Sequence, residues 1–179
     1  MKKKILVTIV CLFVLIISAF PMSSVLAVKP TEISGNFTVD IFAITMTPIK
    51  GPFGNVPITI QELTGIDCFT FTGDISGTAS YSARWMYHGD FSNPENFLTF
   101  TGITTFEDVT ITVGDTTATG ELVIKSTGNE QHQAGLWTVI SSNLENTEGE
   151  QVSLHGQGEF LEPAVLGSYD VIGQLHFNP

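Results

Sequence analysis

The stretch GDISGTASYSARWMYHGD, Gly73 to Asp90, alternates almost without a break. One register reads Ile75, Gly77, Ala79, Tyr81, Ala83, Trp85 and Tyr87; the other reads Ser76, Thr78, Ser80, Ser82, Arg84, Met86 and His88. Successive side chains on a strand point to opposite faces, so a period of two marks a half-buried strand. The first register carries aromatic bulk with small residues between, and it is expected to look inward. The hydroxyl register, Ser76 to Ser82, is expected to meet solvent or a neighbouring subunit.

The same alternation recurs along the chain, and no segment keeps a helical period for long. A first strand is expected over about 33–46, with Phe37, Val39, Ile41 and Ala43 on one side. A second covers 58–72, bent or bulged near Gly65, and turns tightly at Gly73-Asp74 into the quoted strand. Further strands are expected over 97–113, 116–127, 134–142, 151–160 and 167–177. In these, Leu98 and Phe100 align with Phe106, Leu122 with Ile124, and Trp137 with Val139. Between them lie turn-rich stretches such as TPIKGPFGNVP and HGDFSNPENF, in which a ladder cannot continue.

Eight strands on short connections imply sequential antiparallel pairing, because parallel pairs need long crossovers. Closing such a sheet removes both exposed edges. The expected fold is therefore all-β: a single closed eight-stranded antiparallel barrel. Its interior is just wide enough to be packed with side chains or to hold one small ligand.

The amino terminus stands apart from this pattern. Lys2, Lys3 and Lys4 precede an apolar run from Ile5 to Ala19, and Val25-Leu26-Ala27 offers a small residue for cleavage. Residues 1–27 read as a secretory signal peptide, a hydrophobic signal helix ahead of one domain over 28–179. An uncleaved membrane anchor is the competing reading, although Pro21, Ser23 and Ser24 interrupt the run. Past Ala27 only Lys29, Lys50, Arg84 and Lys125 stand against all 18 acids. That balance repels nucleic acid and anionic membrane, which need a basic footprint. Cys68 is then the sole cysteine and cannot form an intrachain disulfide; its setting, DCFTF, suits a buried, inert thiol. Asn36-Phe37-Thr38 matches the short glycosylation pattern.

The chain carries no HExxH, paired CxxC, P-loop, GxSxG or EF-hand pattern. His88, His132, His155 and His176 have no ligand-like spacing, so neither metal nor cofactor is expected. Arg84 lies near His88 and Glu107 on the outward register, where a solvated salt bridge is the expectation. His155 and Glu159 share one side of their strand, with His176 beside them if the last two strands pair. On an exposed stripe they are inert; in an inverted register Glu107, His155 and Glu159 become the candidate proton-transfer residues. Gly156-Gln157-Gly158 lacks a following helix and reads as a bulge or bend rather than a phosphate loop. Tyr81, Trp85, Phe100, Trp137 and Tyr169 make the aromatic interior, as packed core or as the lining of a ligand site. The partners this predicts are a small apolar molecule and, through the hydroxyl face of Ser76, Thr78, Ser80 and Ser82, further copies of the chain in a homo-oligomer.

Five motifs add a resemblance: ISGNFTV at 33–39, FTFTGDISGTASY at 69–81, TATGELVIKSTG at 117–128, LWTVI at 136–140 and LHGQGEF at 154–160. In this order they resemble a bacterial domain-of-unknown-function family, grouped by structure with allene oxide cyclase and dirigent proteins. The Thr-Gly-Asp-Ile-x-Gly turn at 72–77 and the Gly-x-Gly-x-Phe run at 156–160 carry most of the likeness. The resemblance implies a compact eight-stranded barrel, often oligomeric, with no assigned activity. The export signal and the longer insertions at 47–57 and 90–96 depart from it. The distant kinship implies an alternative function, a cyclase-like or dirigent-like enzyme guiding a reactive small molecule in its cavity.

Overall fold

A computed structural model describes residues 29–50, 58–89, 97–129, 134–161 and 167–178. The stretch 1–27 that reads as a signal peptide, most of the loop 47–57 and all of 90–96 lie outside the described residues. The described chain holds no α-helix. It forms nine strands: β1 Thr31–Val39, β2 Ile44–Lys50, β3 Ile58–Gly73, β4 Ile75–His88, β5 Phe97–Val113, β6 Thr116–Asn129, β7 Ala134–Asn146, β8 Gln151–Leu161 and β9 Ser168–Asn178.

All nine join one antiparallel sheet in the order β1-β9-β8-β7-β6-β5-β4-β3-β2, and β1 also pairs with β3. The hydrogen-bonded ladder therefore returns on itself as a ring. Its closing seam runs from Gly35↔Gly73 to Val39↔Phe69. The Ser34 amide donates to Asp74 Oδ2 at 2.7 Å, and the Asp74 amide donates back to the Ser34 carbonyl at 3.1 Å. The tight turn at Gly73-Asp74 thus ties the first strand to the hairpin that follows; Gly73 sits at φ +107°, where a side chain is disfavoured.

One expected strand over 33–46 is corrected to two. Asp40 caps a single 3-10 turn at Ile41–Ala43, its carboxylate accepting from the Phe42 amide at 3.0 Å. The turn breaks the alternation, so Ile41 and Phe42 are exposed, Phe42 at 94%. β2 then resumes along the other half of β3, so β1 and β2 share one partner and the nine strands fill eight places round the ring.

The β4 register is the one its alternation predicts: Ile75, Ala79, Tyr81 and Ala83 are buried, whereas Thr78, Ser82 and Arg84 are exposed. The bend near Gly65 is a break in pairing between Gly65 and Phe69, with Asp67 at φ +47°. β5 contains a second such break. Thr104 and Phe106 face in on even numbers, then Val109, Ile111 and Val113 on odd ones, with Glu107 and Asp108 absorbing the change. Val109 pairs with Gly77 on one side and Gly120 on the other, at φ +143° and +142°. Such a bulge row increases local twist and helps a sheet curve round.

Gly156-Gln157-Gly158 is regular only on its β9 side; towards β7 the ladder shifts register between Gln157 and Val152, a stretch that includes Gly156. β8 pairs with β9 without a register shift from Ser153 to Leu161. The glycines are required sterically as well: Leu175 lies over Gly156, and the Trp137 indole lies over both Gly158 and its partner Gly173.

The interior divides into two halves. Towards the Gly73-Asp74 and Gly114-Asp115 turns, Val109, Ile111, Leu144 and Leu175 are fully buried and fill the space. Towards the opposite strand ends the inward residues Trp85, Phe160 and Tyr169 are only partly buried. That half contains the cavity.

Candidate functional site

Residues from most strands of the ring enclose a cavity of about 280 Å³. Tyr81, Trp85, Phe100, Trp137 and Tyr169, the five aromatics expected inside from alternation, all line it. Alternation can find them because one register slip would turn every one outward. Phe37, Phe69 and Phe160 also line the cavity and were not among the expected site residues. Their signal was present in the same period, but aromatics on a buried face look alike whether they pack or leave a gap.

One wall is a stack of rings. Tyr169 lies on Phe37 at 4.8 Å between centroids with an interplanar angle of 11°, and Phe69 lies on Tyr81 at 4.6 Å. Phe160 meets Phe37 edge-on at 6.0 Å and Phe100 at 5.9 Å. Offset and edge-to-face contacts of this kind add to the burial of apolar area. The wall is therefore stiff. At the rim, Ile41 and Met46, both exposed, complete the lining.

The polar groups of the lining are few and neutral. Thr104 and Ser126 are buried, and the Ser126 hydroxyl donates to the Gly102 carbonyl at 3.4 Å. Burial pushes the Tyr81 phenol up to about 12, against the nearby Trp85 and Ser126 side chains, which lower it. Tyr81 is therefore neutral at any physiological pH.

The two tryptophans differ in how their N–H groups are used. Trp137 donates to the carbonyls of Glu159 and Ile172, each at 3.2 Å, so its ring is pinned across β8 and β9. Trp85 Nε1 makes no bond this short; it is buried and acts on the Tyr81 phenol, where its N–H lowers the pKa.

The candidate acid–base residues are elsewhere. Glu107 is exposed at the β5 bulge, and His155 and Glu159 are exposed on the outer face of β8. His176 does stand beside His155, its ring stacked at 5.5 Å, but the pair faces away from the cavity. Arg84 is solvated as expected, with a different partner. Its contact is Glu62 on β3 at 3.4 Å rather than Glu107, because Glu62 is its register partner across the strands. Cys68 is buried at the β3 bulge, 1% exposed, and burial raises its thiol pKa. Among the described residues no three His, Cys, Asp or Glu side chains gather as a metal-binding group would require.

No family model matches the chain, and no curated protein matches it significantly. The functional reading consequently rests on the cavity.

Proposed function

We propose that the ring is a closed eight-stranded barrel of the allene oxide cyclase-like kind, exported from the cell, and that it binds a small apolar molecule without transforming it. One observation carries this reading: half of the interior is packed solid while the other half leaves 280 Å³ walled by aromatic rings. Ligand sites are mainly apolar with a few placed polar groups, and this volume lies just below their ordinary range of roughly 300–1,000 Å³. A cyclase-like reaction would need an acid or base at the cavity, and among the described residues no lining side chain is charged.

The test is a neutral fluorescent probe, N-phenyl-1-naphthylamine, titrated into the purified protein while probe emission and melting temperature are followed. Binding to the native state alone should brighten the probe and add about 2.7 kcal/mol of stability at 100 Kd. Ile124→Trp, which fills the cavity from β6, should abolish both responses. A probe that neither brightens nor stabilises would leave only a structural role.

A further inference from the structure

The outer face of the wall carries a groove of its own, over β2 to β5. Ala43, Ile66, Ser80, Ser82, Ile103 and Thr105 help to line it, and among the described residues none of its walls is charged. We propose that two copies of the chain meet here about a two-fold axis, the Phe42 ring of each copy seated in the groove of the other.

Exposed apolar area marks the place. Phe42 is 94% exposed on the 3-10 turn, and Ile66 is 80% exposed at the β3 bulge. Phe42 precedes Ala43 in the chain, and Ile66 is itself in the lining, so both stand at the same end of the groove. Large apolar side chains gathered in this way mark a surface that a partner covers.

Charge says which partner. Past Ala27 the chain has four cations against 18 acids, so most of its surface repels a second copy. Two of those four, Arg84 and Lys125, stand on this face. Lys125 is exposed on β6 as the register partner of Ile103, and Arg84 lies two residues along β4 from Ser82, beside Glu62. Acids stand at the other end. Asp40 caps the turn, and Asp67 follows Ile66, its amide donating to the Ser80 hydroxyl. Among the described residues neither Asp67 nor Lys125 forms an ion pair.

The groove is thus negative at its β2–β3 end, neutral along its length and positive where it reaches β6. A basic partner would meet Lys125, and an acidic one would meet Asp40 and Asp67. A second copy turned through half a rotation sets each end against its complement and each Phe42 over the uncharged middle. The patch spans four strand spacings, about 19 Å, which leaves room for both rings.

Sedimentation equilibrium and light scattering of the purified protein should give a dimer. Phe42→Ser should leave the circular dichroism spectrum unchanged and raise the dimer dissociation constant at least about tenfold, because an apolar ring no longer leaves water. Charge is tested by exchange. Asp67→Lys makes both ends positive, Lys125→Glu makes both negative, and each alone should be a monomer at low salt. Mixed in equal amounts they should dimerise again, since each end then meets its opposite. Asp67 sits at φ +47°, where lysine is disfavoured. Should that variant not fold, Lys125→Glu alone decides, as a monomer at low salt that regains the dimer when salt screens the repulsion. A native monomer, or a trimer or larger ring, overturns the proposal. So does a dimer that Phe42→Ser leaves as tight as before, or a Lys125→Glu dimer indifferent to salt. Each of these outcomes spares the cavity reading, because Phe42→Ser should bind the fluorescent probe as the native chain does.

Discussion

Gly135 on β7 and Phe160 on β8 are direct cross-strand partners, and the Phe160 ring occupies the space that a Cβ on Gly135 would need. All three nearest atoms to that missing Cβ belong to the ring, none to backbone. Gly135→Ala should cost about 1–3 kcal/mol through overpacking. Shortening the ring with Phe160→Leu should make room, so the double variant should be more stable than the two single losses predict. Urea unfolding of the four proteins gives the coupling, expected at about 0.5 kcal/mol or more, on the order seen for residues in contact. Strict additivity would mean that the ring does not rest there.

Gly158 makes the opposite case. Its missing Cβ would meet the Ile172 carbonyl oxygen and, at 2.6 Å, both the Gly173 Cα and Trp137 Cζ2. Two of those neighbours are backbone of β9 and cannot turn aside. Gly158→Ala should therefore lose more than about 3 kcal/mol, or fail to fold, beyond ordinary overpacking. Adding Trp137→Phe should not recover it. A well-folded single variant in circular dichroism and thermal melts would show that β8 and β9 are looser than this spacing.

Tyr81 makes stability depend on alkaline pH. Its phenol titrates near 10 when unfolded and is pushed up to about 12 by burial in the fold. Between those values the native state keeps a proton that the unfolded chain has released. Stability from this source is thus whole below pH 10 and falls as pH rises through 12. The loss should reach about 2–3 kcal/mol, because each tenfold difference in proton affinity between the two states is worth ~1.4 kcal/mol. Denaturation at pH 9 and pH 11.5 measures it, with Tyr81→Phe as the reference that should lack this component. An equal drop in both proteins would place the titrating group elsewhere.

The outer face of β4 is the surface proposed to join copies of the chain. Ser80 is a poor place to test it, because its hydroxyl accepts from the Asp67 amide at 3.2 Å and supports the β3 bulge. Thr78 is exposed on the same face and pairs with Thr70 across β3. Light scattering should report an oligomer for the native chain and a monomer for Thr78→Arg. A native monomer, or an oligomer indifferent to that charge, ends the proposal.

What the sequence conveyed best was facing. The run from Ile75 to His88 shows which side is buried because small and aromatic residues alternate with hydroxyls, and each strand repeats the test independently. The breaks were harder to read. Glu107-Asp108 looks like two more steps of a strand, and only the pairing of Val109 with Gly77 and Gly120 shows that the count restarts there. Asp40 hides its capping role in the same way, since an acid between Val39 and Ile41 fits an outward position. The aromatic lining was legible as a set, yet the gap it encloses was not. Whether rings such as Phe37 and Tyr169 meet in the middle depends on how the wall is stacked, which no local pattern records. Trp85 and Trp137 are equivalent in sequence, and only their hydrogen bonding tells them apart.

The seam has a consequence for the order of assembly. Among the described residues, Thr31 to Ser34 form strand pairs only with β9, Thr31 with Leu175 and Ser34 with Ile172. That amino-terminal part of the first strand must therefore wait for the last strand, across almost the whole length of the domain, although Gly35 to Val39 can pair with β3 before it. Pairings so distant in sequence are slow to form, because loop closure must precede any contact that rewards it. Until residues 168–178 arrive, β1 and β8 each keep a bare edge able to pair with another chain. A chain that ends before Ser168 should accordingly be lost to aggregation, even with every cavity residue before that point intact.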